Sequence, residues 1–432
     1  MEKITLFWHR RDLRNYDNAG LHAALTSSKN VQPIFIFDTK ILDRLPKEDK
    51  RIDFINDAIL KLDKAYQEFG TKLWVFYGSP LEVLKQLDQD YSVLALYTNR
   101  DYEPYAHERD KAVYEYFQAK GIPFVGKKDH IVFEKNEVLK SDGDPYVVFT
   151  PYSKIWKNQL TEFYYKAYPI EKYKGNFNKT DEHKLDSVYD HGFTATNTKF
   201  SEPSFDQKVI TNYKEIRDFP AKDGTTRLSV HLRFGTVSIR ECVTKALELG
   251  SETWLNELIW RDFYHSVLYH FPHVATNAFR SKYEAVEWEK NEEHFKAWCD
   301  GKTGYPLVDA GMRELNETGF MHNRVRMVVA SFLTKHLLLD WRWGEAYFAK
   351  KLLDFDLAAN SGGWQWAAGC GTDAAPYFRV FNPTSQLEKF DKNKTYVKHW
   401  VPEFGTEDYP EPIVEHKFAR QRALDRYKEA LS

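Results

Sequence analysis

Through about residue 130 the chain alternates short apolar runs with amphipathic stretches. ITLFW, VQPIFIF, KLWVFYG, SVLALYT and IPFVG are rich in β-branched and aromatic side chains, the character of strands buried on both faces of a parallel sheet. Between the second and third runs, Ile52, Ile55, Ile59, Leu62, Tyr66 and Phe69 recur at helical spacing. This βαβ rhythm predicts an open, parallel five-stranded sheet with helices on both faces, a Rossmann-like α/β domain over 1–128. Over 129–205 the rhythm is lost, and the expectation is a connector that wraps the surface with at most short local elements. From 206 to 432 the periodicity is helical. LNELIWRDFYHSVLYHF, YPLVDAGMRELNETG and MHNRVRMVVASFLTKHLLLDW each carry it, and Gly319 stands where a C-cap belongs, so an all-α domain is expected there.

Length fits this division, since 432 residues exceed one core and predict two or three domains. A net charge of -2 excludes a chain that binds nucleic acid through its overall charge, so any phosphate-binding surface is a local patch. Cys242, Cys299 and Cys370 are odd in number and far apart, with no zinc-type spacing, so neither disulfides nor a metal are expected. MEKITLFWHRRDLR is too short in its apolar part for a signal peptide, and Lys335 and His336 interrupt the longest apolar stretch. A cytoplasmic protein without a membrane span is expected.

No G-x-G-x-x-G follows the first strand, where a dinucleotide site would need it. His9, Arg10, Arg11 and Arg14 stand there instead, as a basic rim or a loop of solvated charges. GCGTDA at 369–374 fits the glycine spacing but follows no strand. The chemistry concentrates in 341–383, where Trp341, Trp343, Trp364 and Trp366 crowd with Asp354, Asp356, Asn360 and Arg379. Four indoles beside acids, an amide and a guanidinium suit a pocket that stacks on a ring system and hydrogen-bonds its edge. A Trp-rich helical core would read the same way. Upstream, Gly224-Thr225-Thr226-Arg227-Leu228-Ser229 could cradle a diphosphate or cap a helix. Glu257, Trp260 and Arg261 share one helix face, as do Asn323, Arg324 and Met327.

In order, TTRLS, WLNELIWRDFYH, GKTGYPLVDAGMRELNETGFMHNRVRM and DFDLAANSGGWQWAAGCGTDAAPYFRVFNP resemble the photolyase/cryptochrome flavoproteins, most of all the class I photolyases that repair cyclobutane pyrimidine dimers in DNA. The resemblance extends to FWHRRDLRNYDNAGL at the start. It implies FAD, active as FADH⁻, in the helical domain. Tyr213, Thr225, Thr226, Arg227, Leu228 and Ser229 would hold its phosphates, with Trp254 beside it. Asp354, Phe355 and Asp356 would bind its adenosine and isoalloxazine parts, Arg326 would pair with Asp354, and Asn360 would face flavin N5. A neutral amide there neither repels the anionic reduced flavin nor readily protonates it. Plant cryptochromes place Asp at that position and animal ones commonly Cys.

The resemblance further implies that Glu257, Asn323, Met327 and Asn360 serve the reaction and that Trp260 and Trp366 wall the pocket for the flipped dimer. Arg217, Arg261, Arg324, Arg379 and Gln386 would contact the DNA backbone. Trp364, Trp341 and Trp288 match a chain that relays electrons to oxidised flavin. His322 alone stands where (6-4) photolyases carry a histidine pair. Tyr105-Ala106 replaces the Asn-Glu of folate-binding members and the EPY form is closer to members with a deazaflavin antenna, so the resemblance leaves open whether a second chromophore, deazaflavin or folate, is carried. The expected partner is dimer-containing DNA, the expected state a monomer, and the alternative function a blue-light photoreceptor of cryptochrome type.

Overall fold

Lys3–His9, Val31–Asp38, Trp74–Gly78, Ser92–Asn99 and Phe124–Lys127 form strands β1 to β5 in the computed structural model, which describes residues 1–432. All pairings are parallel, in the order β3-β2-β1-β4-β5. Successive side chains of a strand point to opposite faces, and here both faces are covered. Ile4, Leu6, Trp8, Ile34, Ile36 and Trp74 join one core with Leu84, Leu87, Val113 and Phe117 of the helices Pro80–Asp90 and Pro104–Ala119. Phe7, Phe35, Phe37 and Val75 join another with Ile52, Ile59, Leu62 and Tyr66 of the helix Lys50–Gln67.

Strand order reverses between β1 and β4, where open α/β sheets form a ligand crevice. Here that crevice is closed by the protein's own ion pairs, leaving about 10 Å³. Arg11 reaches Asp101 at 3.1 Å and Glu103 at 3.0 Å, Arg14 reaches Asp129 at 2.6 Å, and Asp12 accepts from Asn18 and Asn99 at 3.0 and 2.6 Å. The run after β1 is therefore neither a basic rim nor a solvated loop. Its charges are buried because each has a partner.

Two compact units emerge, each discontinuous in sequence: Met1–Glu134, Gln159–Ser204 and Arg227–Lys245 form the first, and the remaining residues the second. The 129–205 stretch is thus packed chain rather than a surface wrapping. Ile170, Phe177, Val188 and Phe193 belong to a core of the first unit. In the second unit Phe149–Gln159 is an 11-residue helix, which corrects the expectation of only short elements. Pro151 lies in its first turn, where a missing N–H costs nothing. Tyr152 and Trp156, four apart, bury one face, and Trp156 Nε1 donates to Asp262 Oδ2 at 2.9 Å.

The second unit is otherwise built from helices, among them Glu252–His270, Pro306–Thr318, Asn323–Ser331, Trp341–Lys351 and Leu357–Ala368. Gly319 closes Pro306–Thr318 at φ +75°, as a left-handed C-cap requires. No helix is long and apolar enough to cross a membrane, and all three cysteines are free and buried. A π-helical turn at Phe332–His336 carries Lys335 into the core, 1% exposed. Its Nζ donates to Ala368 O at 2.9 Å and lies 3.6 Å from the Tyr427 ring centre.

Burial pushes the Lys335 ammonium down to about 7 from its ordinary 10.5. Between those values the unfolded chain binds the proton and the folded protein does not, so stability rises with pH by up to about 1.4 kcal/mol per unit. Below about 7 the deficit is complete. Lys335→Met is expected to raise the neutral-pH Tm and to flatten its climb from pH 7 to 10. An unaltered slope in thermal melts would contradict this.

Candidate active site

Three helices of the second unit each turn a face toward a cavity of about 380 Å³, within the range of roughly 300–1,000 Å³ usual for ligand sites. Glu257, Trp260 and Tyr264 come from Glu252–His270 at i, i+3 and i+7. Asn323, Arg326, Met327 and Ala330 come from Asn323–Ser331 at i, i+3, i+4 and i+7. Ala359, Asn360, Gly363, Trp364 and Trp366 come from Leu357–Ala368, and Asp354, Phe355 and Asp356 from the turn before it.

Part of the cavity lining is polar and held in place by hydrogen bonds and an ion pair. The Asn360 amide donates to Glu345 O at 3.1 Å and Glu345 Oε1 at 2.8 Å, so its NH₂ is committed and its carbonyl oxygen remains for the cavity. Burial raises the Glu345 carboxyl, and the Asn360 hydrogen bond works against that rise. Asp354 accepts from Arg326 at 2.9 and 3.2 Å, while Arg326 Nε donates to Met321 O at 2.7 Å. Asp356 caps Leu357–Ala368 by accepting from the N–H groups of Ala358 and Ala359. A Cβ built on Gly363 meets no atom within 4 Å, so bare backbone faces open space there.

Another part of the lining is aromatic. Trp260 stacks on Phe149 with ring centres 3.7 Å apart and planes at 2°, and Trp366 also lines the cavity. Glu257 is ion-paired with Arg217. Burial raises the Glu257 carboxyl and Arg217 opposes it, with a net upward shift. Asn323 Nδ2 is 4.0 Å from Met327 Sδ. His322 caps their helix through Nδ1, which accepts from Arg324 N at 3.2 Å. That role needs a neutral ring, and burial pushes His322 down to about 4.

Family models described as DNA photolyase and as the FAD binding domain of DNA photolyase match residues 5–171 and 254–406. The deoxyribodipyrimidine photo-lyase of Escherichia coli (strain K12) is 38% identical over 98% of this chain and 98% of its own. A bacterial class III photolyase from Agrobacterium tumefaciens superposes with a TM-score of 0.89 at 31% identity, covering 100% of this chain and 98% of that one. A cryptochrome from Synechocystis sp. PCC6803 does so at 0.86 and 26%, covering 98% and 99%. This chain belongs to the DNA photolyase family.

As a family member it has the FAD-binding domain, and the cavity fits such a group on its own chemistry. An oriented amide oxygen, a carboxylate fixed by arginine and a bare glycine backbone face it, with the Trp364 and Phe355 rings beside them. Not every expected cofactor contact lines this photolyase cavity. Tyr213 lies outside it with the Arg217 guanidinium 5.2 Å from its ring. Trp254 is buried, edge-on to Phe205 at 6.4 Å. In 225–229, Arg227 has φ +51° and Ser229 opens the helix Ser229–Phe234.

Among the expected DNA contacts, Glu257, Trp260, Trp366, Asn323 and Arg217 line the cavity, while Arg261, Arg324, Arg379 and Gln386 do not. Arg324 pairs with Asp218 at 2.8 Å, and Arg379 is exposed. Of the expected relay, Trp364 forms cavity wall, Trp341 is buried and Trp288 is half-buried. The sequence reading missed Phe149, Tyr264 and Glu345. Tyr264 had a signal, since it continues the Glu257–Trp260 face by one turn.

Proposed function

We propose that this protein repairs cyclobutane pyrimidine dimers in DNA under light, with FAD in the polar part of the cavity and the flipped dimer in the aromatic part. The observation that carries the reading is that one cavity is lined both by Asn360, Asp354 and Gly363 and by Glu257, Trp260 and Trp366. Reduced FAD, when bound, supplies the absorbing group and a transferable electron. Every other contribution is positioning and electrostatics from the chain. The Asn360 NH₂ donates to Glu345, which leaves its carbonyl oxygen to accept from a flavin N–H, and the amide adds no charge beside the ring. Trp260 and Trp366 stack on the extruded bases, which duplex DNA would otherwise hide. Asn323 and Met327 form the floor.

Once Arg217 turns from Glu257 to the DNA backbone, nothing opposes the burial that raises the Glu257 carboxyl, and the protonated acid donates to a pyrimidine carbonyl where negative charge develops. Tyr213, Trp254 and the 225–229 segment are assigned to the cofactor's phosphates and surroundings, and Trp288, Trp341 and Trp364 to its photoreduction. Arg217, Arg261, Arg324, Arg379 and Gln386 are assigned to the DNA backbone, so binding weakens with salt. A deazaflavin or folate antenna would belong to the α/β unit, where Tyr105 donates to Asp38 at 2.7 Å. The protein would act as a monomer in the cytoplasm.

The test is repair of UV-irradiated oligothymidylate by purified protein with reduced FAD: repair is expected in blue light and not in darkness. A photoreceptor of cryptochrome type would change its flavin spectrum under light and leave the dimers intact. Glu257→Ala should lower the repair yield several-fold with flavin still bound, and Glu257→Gln, a neutral donor at every pH, should retain more. Because the protonated acid donates, wild-type yield should fall as pH rises through the raised Glu257 value, and the Gln variant should lack that fall. Parallel pH profiles for the two would remove Glu257 from the donor role.

A further inference from the structure

One loop reaches the supports of both tryptophans in the aromatic lining. Residues 369–382 leave the helix Leu357–Ala368 through Gly369, at φ +88°, and end on Asn382, whose side chain caps Pro383–Phe390 by accepting from the N–H groups of Thr384 and Ser385. Near the start of the loop, Asp373 Oδ2 accepts from the Phe149 N–H at 3.3 Å, across 224 residues of chain. Near its end, Phe381 lies 6.4 Å from Trp366, ring centre to ring centre, at 35°. Between these two contacts Phe378 is 61% exposed and Arg379 is exposed, so the tip of the loop is open to solvent. On the reading of the cavity proposed above, we infer that Asp373 is a positioning residue for dimer recognition: it fastens Phe149, and through Phe149 the plane of Trp260, to the loop that carries Arg379.

The local chemistry suits Asp373 to this part. Phe149 opens the helix Phe149–Gln159, where the first N–H groups have no partner within the helix and the helix dipole favours a carboxylate. A cap taken from a distant loop therefore fixes where the helix begins. Phe149 is also the ring on which Trp260 stacks, at 3.7 Å and 2°. A parallel stack lasts only while both rings keep their planes, so a fixed Phe149 backbone steadies the indole as well.

Asp373 meets two demands at once. Its φ of +46° is a left-handed backbone that Asp and Asn adopt more readily than other side chains, and its carboxylate supplies the acceptor. The chain just before it has no freedom to drift. Cys370 O accepts from Arg280 N at 3.0 Å, and a Cβ on Gly371 would come to 2.8 Å from Gln365 Cβ. A phosphate held at Arg379 thus acts on a loop already joined to Phe149 and to Trp366. Less ordering of the indoles is then left for the moment when the bases arrive.

The test compares Asp373→Gly with Asp373→Asn in flavin-loaded protein. Glycine keeps the left-handed turn and removes the acceptor, whereas asparagine keeps both. Without DNA, amide exchange of the peptide containing Phe149, followed by mass spectrometry, should quicken in Asp373→Gly and stay near wild type in Asp373→Asn. Affinity for dimer-containing oligothymidylate should fall roughly 2- to 10-fold in Asp373→Gly, the cost of ordering one side chain on binding. Undamaged DNA should bind as before, and Asp373→Asn should recover most of the loss. Combined with Trp260→Ala, Asp373→Gly should cost little more than Trp260→Ala alone. Should Asp373→Gly fail to fold, Asp373→Ser, with a shorter side chain, serves the same comparison. Unchanged exchange, unchanged dimer affinity or additive losses in the double variant would overturn the inference alone. A wild type that binds dimer-containing and undamaged DNA alike would overturn the dimer reading and this inference with it.

Discussion

Gly344→Val is expected to yield protein that purifies without flavin and melts at lower temperature. Gly344 lies on Trp341–Lys351 where that helix crosses Leu357–Ala368, and a Cβ built on it comes to 2.0 Å from the six-membered ring of Trp364. The indole cannot retreat into the protein, because Trp298 and Phe348 hold its other sides with ring centres at 6.0 and 5.0 Å. It can give way only toward the cavity it lines, where the cofactor is proposed to bind. Overpacking of this kind costs about 1–3 kcal/mol in stability, and occlusion of the cavity adds loss of FAD.

Gly363→Ala provides the contrast. Its methyl group meets no protein atom within 4 Å, and replacing a mid-helix Gly by Ala stabilises a helix by up to about 1 kcal/mol. The flavin-free protein should therefore melt higher, while FAD binds more weakly because the methyl occupies cavity space. Absorption spectra, FAD titration and melts of the stripped proteins separate the two. Equal FAD affinity in Gly363→Ala and wild type would place the cofactor elsewhere.

What the sequence disclosed follows the range over which each signal acts. Period-two and period-3.6 patterns are local, so the strands, the Lys50–Gln67 helix and the spacing of Glu257 with Trp260 and of Asn323 with Met327 could all be read from the chain. Three partners that set the site's chemistry could not. Arg217 lies 40 residues from Glu257, Glu345 lies 15 from Asn360 on another helix, and Phe149 sits in a stretch whose SDGDP run reads as loop. Each meets its partner only through tertiary packing, which periodicity does not encode. The basic run after β1 failed for the same reason, since its acidic partners Asp101, Glu103 and Asp129 come from the far side of β4. Asn360 was legible as a residue, but the orientation of its amide was not, because Glu345 sets it.

Phe149 matters most for the largest expected effect on DNA binding. Trp260→Ala removes one aromatic wall, and base–aromatic stacking contributes about 1–3 kcal/mol per base, so affinity for dimer-containing DNA should fall roughly 5- to 150-fold. Undamaged DNA, held by phosphate contacts, should bind nearly as before. Trp260 presents its plane because Phe149 lies parallel beneath it at 3.7 Å. Phe149→Ala is therefore expected to cost part of the same affinity without touching DNA, by freeing the indole to turn. If Phe149 acts through Trp260, the double variant loses little more than Trp260→Ala alone, and the coupling shows as non-additivity in the cycle. Strict additivity would mean that Phe149 contacts the DNA itself. Raising the salt supplies a second discriminant: the slope of log affinity against log salt reports phosphate contacts. It should be the same in all three variants and shallower in Arg379→Ala, whose exposed side chain is proposed to contact the DNA backbone.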